Sequence, residues 1–197
     1  MDNDRLTQQL AFILELDKLK EILRQSRLIN SRRQENSAEH SWHVALMAMV
    51  LAEYANEPVD ATHVMKLMLV HDIVEIDADD TFLYDDTGRE DKLEREQRAA
   101  DRLFGMLPDD QGAEFRQLWD EYEQGDSAEV RFARALDRVM PLMHNYYTQG
   151  TAWQAHNLRV SQVMDKNSHI EAGSEVLWEK ARSLIEDAVD KGYLNQG

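Results

Sequence analysis

Apolar residues recur at spacings of three and four along almost the whole chain. No convincing run alternates with period two, so the pattern predicts helices throughout. Leu6, Leu10, Ile13, Leu14, Leu16, Leu19, Ile22 and Leu23 mark an amphipathic helix, and a polar basic stretch from Arg24 to Arg33 follows it. The next helix is expected to start near Asn36 or Ser37, where Asn36 and Glu39 have the spacing of a capping box. From Val44 to Leu51 it is apolar nearly all round, which predicts the central buried helix. Asp60 can cap a third helix with the inner face Val64, Leu67, Met68, His71 and Val74. After an acidic loop over 77–91, helices resume at about 92–106 and again after Pro108 through Trp119 and Tyr122. Asp126 with Glu129 looks like the start of a helix running towards Tyr147. Gly150 marks a break, and shorter pieces precede a last helix from Ser174 to Val189. The expectation is an all-α fold, one compact multi-helix domain over 1–197 with a C-terminal helical extension from 149.

Composition narrows the choice of partners. Only three prolines and eight glycines interrupt the chain, which leaves little room for the turns of an all-β fold. The 22 Lys and Arg against 38 Asp and Glu give a formal net charge of −16. Such a surface repels nucleic-acid polymers and anionic membranes, so an anionic substrate needs a local attraction from a metal or an arginine cluster. The absence of cysteine excludes disulfides and thiolate chemistry. MDNDRLTQQL lacks the basic and apolar regions of a signal peptide, and the most apolar stretch, 44–52, is too short for a bilayer. The expected setting is therefore soluble and cytoplasmic.

Polar residues interrupt apolar helix faces at His40, at His71 and Asp72, and at Asp137, which shares a face with Val130, Ala133, Leu136, Met140 and Met143. Buried carboxylates are costly unless paired or metal-bound, and two of them with two imidazoles suggest a cation. Neighbours on a helix point about 100° apart, so His71 and Asp72 share one ion only in a crevice that other helices complete. His40 and Asp137 are the natural suppliers. This donor set suits one octahedral divalent ion such as Mn, Co, Fe, Ni or Mg, with Zn also a candidate. Pro141 removes the helical bond to the Asp137 carbonyl, and the kink expected there either tilts the carboxylate towards the metal or simply bends the helix around the core.

The other histidines are weighed singly. His43 is read as an outer contact or a packing residue and His63 as a surface residue. His144, seven positions after Asp137, is a candidate for the pocket lining, and His156 and His169 receive no role. Arg24, Arg27, Arg32 and Arg33 lead into the helix start that carries His40. A helix N-terminus and an arginine fork both suit phosphate, with Arg24 the first candidate substrate contact and Arg33 the second.

Taken in order, SAEHSWH, VHDIVEIDADD and RALDRV resemble the H…HD…D signature of the HD-domain phosphohydrolases. The similarity covers roughly residues 10–148 and is greatest to the branch with bacterial 5′-deoxynucleotidases and human HD-domain-containing relatives. It implies metal ligands at His40, His71, Asp72 and Asp137, and acid–base work by Glu75. Asp80 would contact the sugar or assist the same proton transfer; many relatives have glycine just before it, where this chain has Asp79. The branch also carries a tryptophan just beyond the Arg24 position. Here Gln25, Ser26 and Arg27 follow, which leaves selectivity for deoxyribose open. Two-metal relatives place additional histidines between the positions of Asp72 and Asp137; this chain has none there, so one divalent ion is expected.

The activity that the resemblance implies is hydrolysis of a phosphomonoester, with a nucleoside 5′-monophosphate leading. Another small phosphorylated metabolite and a non-catalytic HD-fold binding or regulatory module are the alternatives. Oxidative chemistry at iron is disfavoured by the missing histidines. Relatives of this branch are commonly homodimers, and a homodimer is expected here. Its contacts are expected from the C-terminal half, where Trp119, Tyr122, Tyr146, Tyr147 and Trp153 lie outside the metal-binding core.

Overall fold

A computed structural model of the protein describes residues 3–30, 33–85, 87–88 and 90–197; Arg32 of the basic stretch lies outside these. Helix α1 (Asn3–Glu15) ends earlier than the apolar pattern suggests and passes into a 3₁₀ turn, Leu16–Glu21. Two short strands follow, β1 (Leu23–Arg27) and β2 (Gln34–Asn36), paired antiparallel with an irregularity in the register. The sequence pattern marks this stretch only as polar and basic and does not reveal the hairpin. The reason is visible in its burial: β1 turns Arg24 and Ser26 inward, so its period-two signal is polar and invisible to a search for apolar alternation.

The helices that follow are α2 (Ser37–Leu51), α3 (Ala61–Val70), α4 (Glu75–Ala78), α5 (Lys92–Phe104), α6 (Asp109–Gln124) and α7 (Ala128–Tyr147). The capping box of α2 is present as expected, with Glu39 N–H donating to Asn36 and Asn36 N–H to the Glu39 side chain. Asp60 caps α3 through Thr62 N–H. The cap of α7 is Ser127, one residue after the expected Asp126. The chain closes with α8 (Thr151–Ala155), α9 (Val160–Asn167), α10 (Ile170–Gly173) and α11 (Glu175–Asp190), the last capped by Ser174. Among the described residues, no helix is long and apolar enough to cross a membrane.

Helix α7 joins two apolar clusters. One face, with Val130, Phe132, Ala133, Leu136 and Met140, packs with residues of α2, α3, α5 and α6 such as Val44, Leu67, Leu103 and Trp119. The other, with Ala135, Val139 and Leu142, packs with Trp153, Ile170, Trp178 and Ile185 from the C-terminal helices. The helix runs unbroken through Pro141.

Two expectations about burial are corrected. Helix α2 is not buried all round: Val44, Ala45 and Ala48 face the core, while Trp42, Leu46, Met49 and Val50 form an exposed stripe on the opposite side. Likewise, α1 docks on α6 through its polar and aromatic side. Arg5 pairs with Asp110, Gln9 with Gln111, and Phe12 meets Phe115 edge-on, so Leu6, Leu10, Ile13 and Leu14 face outward. Periodicity finds the apolar stripe of a helix but not which neighbour is available to cover it. The aromatics expected at a subunit contact are mostly internal, because Trp119, Tyr122 and Trp153 fill the two clusters and only Tyr147 is largely exposed.

Gly150 makes the turn from α7 into α8 at φ 74°, and a Cβ there would overlap the backbone carbonyl of Tyr193. Gly150→Ala therefore combines left-handed strain with overpacking and should lower stability by about 2–4 kcal/mol. Urea denaturation followed by circular dichroism measures this; an unchanged midpoint would show that the C-terminal segment can move away at no cost.

Candidate metal centre and active site

The polar centre forms where α3 stops. Val70 is its last α-helical residue, and His71 and Asp72 stand just beyond it rather than deep inside the helix. The winding there changes, with Ile73 N–H donating to the Val70 carbonyl, Glu75 to Asp72 and Ile76 to Ile73, all three residues back. Winding of three residues per turn brings Glu75 into line with Asp72, and His71 Nε2 lies 3.1 Å from Asp72 Oδ1. His40 comes from the first turn of α2 and Asp137 from the middle of α7. His40 Nε2 is 2.8 Å from Asp137 Oδ1, and His71 Nε2 is 3.6 Å from the same oxygen. All four side chains are buried.

The ring of His71 shows what the group is suited to hold. Its Nδ1–H donates to the Met68 carbonyl at 2.8 Å, so the neutral ring presents Nε2 as an acceptor. Among the described residues that buried nitrogen has no hydrogen-bond partner, and carboxylate oxygens of Asp72 and Asp137 lie 3.1 and 3.6 Å from it. Acceptors facing acceptors in a water-poor site repel unless a cation lies between them. Ligand atoms at right angles around a divalent ion with bonds of about 2.1 Å are about 3 Å apart, close to the spacings seen. The residues present therefore fit a divalent ion. Tyr122 completes the setting, its hydroxyl donating to Asp137 Oδ2 at 3.2 Å.

Arg24 enters this centre from β1. Its Nη1 donates to Asp72 Oδ2 at 2.9 Å and lies 3.6 Å from Asp80 and 3.9 Å from Glu75; its Nη2 is 4.0 Å from Asp137. Burial works against the guanidinium charge, but Asp72, Asp80, Glu75 and Asp137 outweigh it and raise its pKa. Burial raises the pKa of Glu75, helped by the Asp72 charge and opposed by Arg24. Asp80 is also raised, again first by burial. Asp137 moves the other way: burial opposes ionisation, but Arg138, His40 and His71 hold its carboxyl below the usual range. Arg33 is elsewhere. It forks onto Glu39 on the exposed side of the hairpin and does not line the cavity beside the centre.

Asp79 has φ 60° and ψ 157°, a backbone conformation suited to glycine. This is the position where glycine is common in the resembling family. The Asp79 backbone takes the glycine-like conformation anyway, and Asp80 still reaches the centre.

Glu35 escaped the sequence reading. It lies on β2, almost fully buried, with Oε2 3.5 Å from both His40 Nδ1 and His144 Nδ1. Burial raises its pKa, but His144 and His40 overcome this and hold the carboxyl well below its ordinary value. No motif marks it; one buried acid in a three-residue polar strand has no periodic signal. His144 thus turns towards Glu35 and is not part of the cavity lining, and His43 lies beside it with ring centroids 6.3 Å apart. Glu35, His43 and His144 form a second group with metal-ligating atoms close together. His63 is half-exposed and pairs with Glu121.

A cavity of about 370 Å³ opens beside the centre. The hairpin and α7 supply part of its wall, and residues beyond 149 supply Trp153, Asn167 and His169. Phe82 and Tyr84 line it from the loop after α4, with His156 stacked behind Phe82 at 4.3 Å.

The sequence profile of the HD domain family matches residues 16–178. A crystal structure from Magnetospirillum magnetotacticum MS-1, described as a predicted metal-dependent phosphohydrolase, is 53% identical. It covers 98% of this chain and 96% of its own, with a TM-score of 0.92. The 5′-deoxynucleotidase HDDC2 of Homo sapiens is 34% identical and that of Bos taurus 35%, each over 109 residues. Those alignments take in 55% of this chain and 52% of the relatives, so the chain spans about half the length of the curated relatives it matches.

Glu35→Gln keeps the shape of the side chain and removes the charge that faces His40 Nδ1. Loss of such an outer carboxylate should weaken divalent-ion affinity by about 10–100-fold. Titration of Mn or Co into metal-stripped protein reads this directly, and equal affinity in the two proteins would reduce Glu35 to a space-filling role.

Proposed function

Because the chain belongs to the HD-domain family, we propose that its buried polar centre is the active site of a divalent-metal-dependent phosphohydrolase. The substrate class is a small phosphomonoester, with a nucleoside 5′-monophosphate leading. The observation that carries this reading is the His71 ring, whose unpartnered Nε2 faces the carboxylates of Asp72 and Asp137 with His40 beside them. His40, His71, Asp72 and Asp137 would hold the ion. When bound, a divalent cation supplies Lewis acidity and neutralises charge that develops on the phosphoryl group.

The chain's own groups supply the rest. Glu75 is one turn beyond His71, and its raised pKa favours the protonated form, which suits donation of a proton to the leaving oxygen. Asp80 stands on the far side of Arg24 and is suited to share that transfer or to hold a sugar hydroxyl. Arg24 is the phosphate contact on the hairpin side, and Arg33, tied to Glu39, is the weaker candidate. The nucleotide preference is supported by the aromatic lining from Phe82, Tyr84 and Trp153, which offers faces for a base. A binding module that has lost turnover is the second reading; the four candidate ligands together with Glu75 beside them favour the enzyme.

A phosphate-release panel decides between them. Metal-stripped protein with Mn, Co, Ni, Fe, Mg or Zn restored should release phosphate from nucleoside monophosphates; no release from any nucleotide or sugar phosphate rejects the reading. Glu75→Ala should keep its metal and lose roughly 10²–10⁴-fold in kcat. Undiminished turnover would remove Glu75 from the chemistry.

The protein is also proposed to form a homodimer, and its apolar surface now directs attention to the N-terminal half. Trp42, Leu46, Met49 and Val50 present a contiguous helical stripe, with Trp42 59% and Val50 69% exposed. A net charge of −16 opposes self-association, so an apolar centre is needed to overcome it. Light scattering should give twice 22.9 kDa for the wild type and about half that for Val50→Glu. A wild-type mass of one chain across micromolar concentrations would rule the dimer out.

A further inference from the structure

Four basic side chains line the cavity: Arg24, Lys92, Arg134 and Arg138. Three of them have partners within the protein. Arg24 is hydrogen-bonded to Asp72 and hemmed in by further carboxylates; Lys92 pairs with Glu96 at 2.5 Å; Arg134 donates through Nε to the Tyr122 carbonyl at 3.1 Å. Arg138 differs. Among the described residues it makes no hydrogen bond, and its one ion pair is a loose contact of 3.8 Å from Nη2 to Asp137 Oδ2. Its side chain is 26% exposed, against 10% for Arg24, and so is more open to the cavity's solvent.

The position matters as much as the availability. Arg138 follows Asp137 on α7, so its guanidinium stands at the edge of the proposed metal centre, on the Asp137 oxygen turned away from His40. Around it the cavity is acidic, lined by Asp72, Glu75, Asp80, Glu96 and Glu123 as well as Asp137. A phosphomonoester dianion entering such a cavity meets repulsion on most sides. A planar, always-charged guanidinium with free donors is the group best suited to receive it.

We infer that Arg138 is the anion-receiving residue of this cavity, donating to the non-bridging oxygens of a phosphomonoester held at the Asp137 edge of the metal centre. This rests on the phosphohydrolase reading for the substrate, but the placement of the anion can be tested apart from turnover. It also adds to Arg24 a second guanidinium, from α7, so that the phosphate is gripped between the hairpin and the helix. The residue belongs to the segment RALDRV, whose aspartate alone attracts attention in a search for metal ligands.

The test uses the full chain loaded with Mn, inorganic phosphate as the probe, and the variants Arg138→Met and Arg138→Lys. Arg138→Met keeps the length of the stem and removes the charge. It should raise the dissociation constant for phosphate at least about tenfold, with the Mn affinity unchanged, and Arg138→Lys should recover part of the loss. In a turnover assay the same loss should fall mainly on KM. Phosphate affinity equal to wild type in Arg138→Met would overturn the inference. So would loss of Mn in both variants, because Arg138 would then be acting on Asp137 rather than on the anion. A wild type that binds phosphate through Arg138 yet hydrolyses no phosphomonoester would leave the anion site standing and reject the proposed reaction, so the two failures are distinct.

Discussion

Five carboxylates, those of Glu35, Asp72, Glu75, Asp80 and Asp137, come within 4.0 Å of a single buried guanidinium, that of Arg24. Ions removed from water are tolerated only where opposite charges and donors replace the lost hydration, and one arginine cannot balance five acids. The protein meets this in three ways. Burial raises the pKa of Glu75 and of Asp80, which disfavours their charged forms. Glu35 is balanced by His40 and His144. Asp72 and Asp137 remain, directed with two imidazole nitrogens at one point where a cation fits. Much of the local architecture serves this balance: the hairpin brings in Arg24 and Glu35, the tightened turn after α3 carries His71, Asp72 and Glu75, and α7 delivers Asp137.

What could be read from the sequence follows from which signals are local. The cap at Asn36, the start of α3 at Asp60, the limits of α11 and the inner face of α7 depend on neighbours a few residues away, and each can be recognised in a linear string. His40, His71, Asp72 and Asp137 were legible because polar residues on apolar faces are conspicuous, and the structure brings them together. The hairpin was illegible because its inward residues are Arg24 and Ser26, so that its function hides its periodicity. Glu35 and Arg138 were missed for a related reason. Their surroundings are assembled from distant segments, and neither lies on an apolar face that would make it stand out.

The C-terminal helices are more than an appendage to the first cluster. They pack on the second face of α7 and carry Trp153, Asn167 and His169 to the cavity wall. Asn167 donates to the Tyr84 hydroxyl at 3.3 Å, which links the far end of the chain to the loop that bears Asp80. The shape of the cavity therefore depends on both ends of the sequence, while its chemistry comes from the middle.

That division has a thermodynamic corollary. The four inward donors come from α2, the turn after α3 and α7, separated by up to 97 positions, and no subset of adjacent residues can reproduce their geometry in an unfolded chain. Ion binding is then linked by mass action to the global folding equilibrium. Each tenfold excess of free ion over its dissociation constant would deepen the native basin by about 1.4 kcal/mol. The ambient concentration of the ion would act as a thermostat on this protein's lifetime: scarcity would leave the metal-facing carboxylates without their main counter-charge, and a chelator would act as a mild denaturant.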